Sequence, residues 1–242
     1  MELICYLSNG YPSLEESSRT AVMYAEAGCG MIEVDLPCRN PYMDNELIAG
    51  RMRQALEQCD DYEVYRNHLV QLKNRLPQVH FLLLVYEDTI CEMGVELFAE
   101  FCMEHGFMDI ILTGVRGDGI RTRLMELGLC VSCYVTSHMP EDEVEQALAS
   151  NGFIYLQAKP FRTGDMEGEV FEGLKERIQY LRDKGIDRPI YCGVGISTPE
   201  DVAEVRQAGG DAVFVGSAVL KLQQQEEAQA SLIRQMKLAC ER

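Results

Sequence analysis

Tryptophan is absent from this chain, histidine is rare, and basic residues are outnumbered. The missing tryptophan decides nothing in a protein of this size. The shortage of Lys and Arg decides more: 22 of them face 39 Asp and Glu, for a net charge of −17. Nucleic acid needs Lys/Arg surfaces against its phosphates, so no nucleic-acid partner is expected, and anionic membrane is disfavoured on the same ground. No apolar run is long enough to span a bilayer and no secretory leader is recognisable, so the chain reads as cytoplasmic with reduced thiols. The four histidines, His68, His80, His105 and His138, form neither a triad nor a metal spacing. Ten cysteines are scattered along the chain. The one CxxC, Cys130 to Cys133, lies inside a strand-like run without a second pair at zinc spacing, so no metal is expected. No dinucleotide fingerprint follows the first strand, and no linker, repeat or low-complexity run divides the chain.

What is present is alternation. Short apolar segments at 3–7, 31–36, 80–86, 108–112, 130–135, 153–156, 190–192 and 212–215 read as eight strands. Amphipathic segments at 13–27, 45–58, 62–76, 94–105, 119–127, 141–150, 169–184, 199–208 and 222–240 read as the helices among them. Ser13 with Glu16 has the spacing of a capping box. Strand–helix alternation means a parallel α/β fold, and 242 residues is near the ~250 of one complete barrel. The expected architecture is a single (β/α)8 TIM barrel domain over residues 1–242.

Two glycine turns close the chain. Gly193-Val194-Gly195 precedes Ile196-Ser197-Thr198-Pro199-Glu200, and Gly216-Ser217 follows about twenty residues on. In a barrel the loops after strands seven and eight form a phosphate site, where glycine lets the backbone approach the anion and helix N-termini offer N–H groups. A phosphorylated small molecule is therefore the expected substrate. Plain capped turns between strand and helix are the simpler reading of the same residues.

Catalytic groups in a barrel sit at the C-terminal ends of strands. There the second strand reads Ile32-Glu33-Val34-Asp35-Leu36-Pro37, with Asp44 in the loop beyond. Glu33 and Asp35 share parity, so both face one side of the strand. An acid inside an apolar strand is costly unless it has a task or a cationic partner. The third strand ends on Tyr86, the sixth carries Tyr155, and the loop 158–168 has the composition of a lid over substrate.

Taken together, these landmarks resemble the alpha subunit of tryptophan synthase, the indole-3-glycerol-phosphate lyase, over nearly the whole chain. Ser8-Asn9-Gly10-Tyr11-Pro12 is similar to the family's Thr-x-Gly-Asp-Pro turn, with Tyr for Asp. The Glu33 strand is similar to Ile-Glu-Leu-Gly-Ile-Pro, Pro41-Tyr42-Met43-Asp44 to Pro-Leu-Ala-Asp, and the residues from Gly193 to Glu200 to Gly-Phe-Gly-Ile-Ser-Thr-Pro-Glu. Thr163-Gly164 and Gly216-Ser217-Ala218 match the lid and the last phosphate loop.

The resemblance implies a lyase that cleaves indole-3-glycerol phosphate to indole and glyceraldehyde 3-phosphate in tryptophan biosynthesis. Glu33 would be its acid–base group and Asp44 the carboxylate facing the indole N–H. Tyr6, Leu84, Tyr86 and Tyr155 would line the substrate, Thr163 would fix the lid, and Gly164, Gly193, Val194, Gly195, Gly216 and Ser217 would hold the phosphate. It implies no cofactor in this chain, with pyridoxal phosphate belonging to a β-subunit partner. The loops after the second and fourth strands, which face that partner in the family, differ here: Cys38-Arg39-Asn40 stands for Phe-Ser-Asp, and Thr113 to Asp118 is shortened. The lid's Arg-Ser-Gly-Val is Lys159-Pro160-Phe161-Arg162. Two other readings remain at this level: a barrel acting on a different sugar phosphate, and a non-catalytic homologue.

Overall fold

The computed structural model describes residues 1–114, 118–160 and 171–241. It contains two compact units, Met1–Cys5 with Ser132–Arg242, and Tyr6–Val131. In chain order the elements are β1 (Glu2–Leu7), α1 (Leu14–Glu26), β2 (Met31–Asp35), α2 (Glu46–Gln58), α3 (Tyr62–Arg75), β3 (His80–Tyr86), α4 (Glu87–Met93), α5 (Val95–His105), β4 (Asp109–Thr113), α6 (Asp118–Glu126) and β5 (Cys130–Val131). Then come β6 (Cys133–Val135), α7 (Glu141–Ala149), β7 (Ile154–Gln157), α8 (Leu174–Asp183), β8 (Ile190–Gly193), α9 (Pro199–Ala208), β9 (Ala212–Val215), α10 (Ser217–Leu220) and α11 (Glu226–Glu241).

In the Tyr6–Val131 unit the strands run β5-β4-β3-β2, all parallel. β3 is apolar almost throughout because a parallel sheet is covered on both faces, and β2 is apolar except for Glu33 and Asp35. Ile32, Val34, Leu82, Leu83 and Val85 are fully buried. The register sets Glu33 beside Leu82 and Asp35 beside Leu84. In the other unit the order is β1-β9-β8-β7-β6, again parallel. Its packing is aromatic: Tyr155 stacks on Phe214 with centroids 4.1 Å apart, and Phe153 on Tyr191 at 4.4 Å. The parallel strands with a helix after nearly every one are those of the expected (β/α)8 class.

Helix starts follow local chemistry. Ser13, Asn45, Asp61 and Thr198 each place a side-chain oxygen on the first-turn N–H groups of α1, α2, α3 and α9. At α1 the capping box is incomplete, because Glu16 pairs with Arg19 rather than reaching back to Ser13. The full reciprocal box is at α9, between Thr198 and Asp201.

Three readings of the sequence need correction. The fifth strand is interrupted at Ser132, so among the described residues nine strands stand for the eight expected. An extra helix, α4, follows β3: Glu87 and Asp88 lie in its first turn, where acids suit the helix dipole, and Gly94 (φ 90°) separates it from α5. The last helix, expected at 222–240, begins only at Glu226, and a short helix, α10, precedes it; Gln229 of α11 reaches back to donate to the Val219 carbonyl at 2.8 Å.

The α9 cap yields a direct test. Thr198→Ala removes the acceptor for the Asp201 N–H, and urea unfolding should show a loss of about 1 kcal/mol. An unchanged midpoint would mean that the box contributes nothing.

Candidate active site

The Tyr6–Val131 unit gathers three carboxylates. Glu33 and Asp35 come from one face of β2, and Asp44 from the loop before α2. Glu33 is 5% exposed and Asp35 1%. Their surroundings differ in hydrogen bonding. Asp35 accepts the Tyr6 phenol O–H on one oxygen and the Asn9 N–H, at 2.9 Å, on the other. Asp44 accepts the Tyr86 O–H at 2.7 Å, and the Tyr86 oxygen in turn accepts the Met43 N–H at 3.2 Å. Glu33 accepts no hydrogen bond among the described residues.

Charge follows from these contacts. Burial, and then the charges of Asp44 and Asp35, push the Glu33 carboxyl up to about 8, so it holds a proton at neutral pH. Burial also raises Asp35, to about 7, against the opposing pull of Tyr6 and Asn9. Asp44 is raised by burial, and its Tyr86 hydrogen bond works the other way. Tyr6 and Tyr86 are held well above the ordinary phenol range by burial and by the carboxylates beside them, so both act as donors.

The unit containing Ser132–Arg242 carries the glycine turns. A side chain at Gly193 would run into the Tyr155 ring. Val194 sits at φ 68° and Gly195 at φ 80°, both left-handed. A β-branched residue there is a true outlier, of the kind that costs about 1–3 kcal/mol and marks functional turns. The Lys159 side chain lies over Gly195 and pairs with Asp201. Gly216 precedes α10, whose first residue is Ser217. Thr163 and Gly164 lie outside the described residues.

The family model for the tryptophan synthase alpha chain matches residues 1–242. The chain belongs to this family. The alpha chain of Rippkaea orientalis is 30% identical over 90% of this chain and 82% of its own length. That of Methanosarcina mazei is 31% identical, over 91% and 80%. Among solved structures, one from Aquifex aeolicus has a TM-score of 0.85 at 23% identity, covering 98% of this chain and 92% of that one. A Mycobacterium tuberculosis tryptophan synthase structure has a TM-score of 0.84 at 23% identity, over 99% and 92%. These likenesses show the (β/α)8 fold.

Of the residues expected at an alpha-chain site, the structure brings Tyr6, Glu33, Asp44, Leu84 and Tyr86 into one unit, with Leu84 buried on β3 beside Asp35. Tyr155, Gly193, Val194, Gly195, Gly216 and Ser217 fall in the other. Tyr6, expected to line the substrate, gives its hydroxyl to Asp35. Sequence reasoning also passed over four residues. Asn9 donates to Asp35. His68, buried, bridges Asn9 Oδ1 and Ser18 Oγ at 2.7 Å each. Burial lowers His68 to about 4, so this bridge is neutral. Arg51, also buried, lies 4.6 Å from the Tyr11 ring centre and near enough to Asp35 to favour its charge. The shared parity of Glu33 and Asp35 was the one signal that pointed to this cluster.

The raised Glu33 carboxyl has a stability consequence. Its ordinary value is 4.5, and below that pH folded and unfolded chains are both protonated. Between 4.5 and about 8 the folded chain keeps a proton that the unfolded chain has lost, so this contribution to stability is lost as pH rises. Glu33→Gln should therefore gain on the wild type in urea midpoint progressively across that window. A difference that is flat with pH would refute the raised value.

Proposed function

We propose that this chain cleaves indole-3-glycerol phosphate to indole and glyceraldehyde 3-phosphate, in tryptophan biosynthesis, with Glu33 and Asp44 as its catalytic carboxylates. One observation carries the assignment of roles: of two acids in one electrostatic cluster, buried Glu33 has no hydrogen-bond donor among the described residues and half-buried Asp44 has a phenol. The first is built to hold a proton and the second to bear charge. Membership of the alpha-chain family supports the reaction itself.

The reaction breaks a carbon–carbon bond at C3 of the indole ring. Glu33 delivers its proton to C3, and the ring becomes an indolenine cation whose N–H faces the Asp44 carboxylate. The Glu33 carboxylate then takes the proton of the adjacent glycerol hydroxyl. The O–H electrons form the aldehyde C=O, the bonding pair of the broken C–C bond returns to the ring, and the positive charge is quenched. Glu33 ends protonated, ready for the next cycle. Tyr86 keeps Asp44 aimed and its hydrogen bond favours the charged form, and Leu84 supplies apolar surface for the ring.

The phosphate falls to the glycine turns. Asp201 already accepts the N–H groups of Ser197 and Thr198, at 2.8 and 3.0 Å. The anion is therefore taken by the strained segment 193–195 and by Gly216 and Ser217, with Thr163 and Gly164 as the matching lid residues. The 242 residues act as one barrel domain in the cytoplasm. No helix among the described residues is long and apolar enough to cross a membrane. The chain uses no cofactor of its own. A β subunit carrying pyridoxal phosphate is the proposed partner, and exposed Tyr42 and Met43, on the loop that bears Asp44, offer it apolar surface.

Indole release from indole-3-glycerol phosphate by the purified chain tests the reading. Glu33→Gln should abolish turnover, and Asp44→Asn should cost about 10²-fold or more in kcat with a smaller change in KM. Full activity in either variant would overturn that residue's role, and no activity in the wild type, alone or with a β subunit, would overturn the reaction.

A further inference from the structure

Asp35 lies two residues from Glu33 on the same face of β2. It is built in: its two oxygens are taken by the Tyr6 O–H and the Asn9 N–H, and Asn9 is braced by His68, itself held by Ser18. Two carboxylates so close in a dry strand cannot both ionise cheaply, and they titrate as a pair.

We propose that Asp35 is a positioning residue for the acid–base group: its hydrogen bonds assign it the negative charge of the pair and so leave the transferable proton on Glu33. The argument is one of unequal solvation. A carboxylate with two donors keeps its charge at far lower cost than one with none. Asp35 has Tyr6 from β1, Asn9 from the following turn and the Arg51 charge from α2; Asp44 faces it as a like charge, and the Tyr65 phenol lies near on α3. Among the described residues, the titratable groups that act on Glu33 are the acids Asp35 and Asp44, with the Tyr6 phenol beside it. Burial raises both carboxyls, and of the two only Asp35 has hydrogen bonds, from Tyr6 and Asn9, that oppose the rise. The inference rests on Glu33 being the acid–base group of the reaction.

The test follows the Glu33 carboxylic acid directly. Its protonated C=O stretch, assigned as the infrared band lost in Glu33→Gln, is titrated in the intact protein from about pH 5 to about pH 10. Asp35→Asn keeps the shape and the acceptor oxygen but removes the charge. The Glu33 proton affinity should then fall about tenfold, and the high-pH limb of kcat/KM for indole release should move to lower pH by the same amount. Tyr6→Phe with Asp35→Gly, which strands no phenol, should reproduce the shift if Asp35→Asn folds poorly. A purely structural role for Asp35 would lower stability and leave the band in place. An unmoved band in a folded variant therefore overturns the inference. No indole release by the wild type, with the band still displaced by Asp35→Asn, overturns the lyase reading alone.

Discussion

Glu33 and Asp35 leave β2 on the same side, both are buried, and little water is at hand to solvate a charge on either. Ionising both would set like charges side by side in a medium of low polarity. The arrangement of the Tyr6–Val131 unit answers that constraint. Tyr6, Asn9 and the Arg51 charge serve one carboxylate, Tyr86 serves Asp44, and no described residue donates to Glu33. The unserved group is the one that keeps a proton at neutral pH, and a proton on a buried acid is what breaking a bond at an aromatic carbon requires.

The glycine turns answer a different constraint. An anion meeting an acidic chain, at −17 overall, gains nothing from the general field and depends on local dipoles. Gly193 is bare because Tyr155 fills the space of a side chain, and the left-handed backbone at Val194 and Gly195 turns successive peptide groups. At the next helix, Asp201 already occupies the N-terminal N–H groups and also anchors Lys159. The proposed anion site is therefore the turn itself rather than the end of α9.

Much of this was legible beforehand. Strand and helix periodicity, Ser and Thr caps, and the Pro199 start of α9 are local features, and local features survive folding. The strands β3 and β9 and the helix α9 have the bounds that their sequence suggests. Misreadings fell where local signals were weak: at Ser132, which breaks a strand that composition alone makes continuous, and after Tyr86, where the acids Glu87 and Asp88 open a helix. The paired positions of Glu33 and Asp44 could be read through family resemblance. The parity of Glu33 and Asp35 could be read from the strand period alone.

By itself, then, the sequence determined the order and type of elements, the acidic surface, the glycine turns and the presence of two acids on one strand face, because each depends on residues near one another along the chain. Tertiary structure decided what those acids are. Tyr6, Asn9, Arg51, Tyr65 and His68 come from five different segments, and no spacing rule joins them. Only their convergence makes Asp35 solvated and Glu33 not. The proton affinity of a buried carboxyl is set by what surrounds it, and that lies far away in sequence.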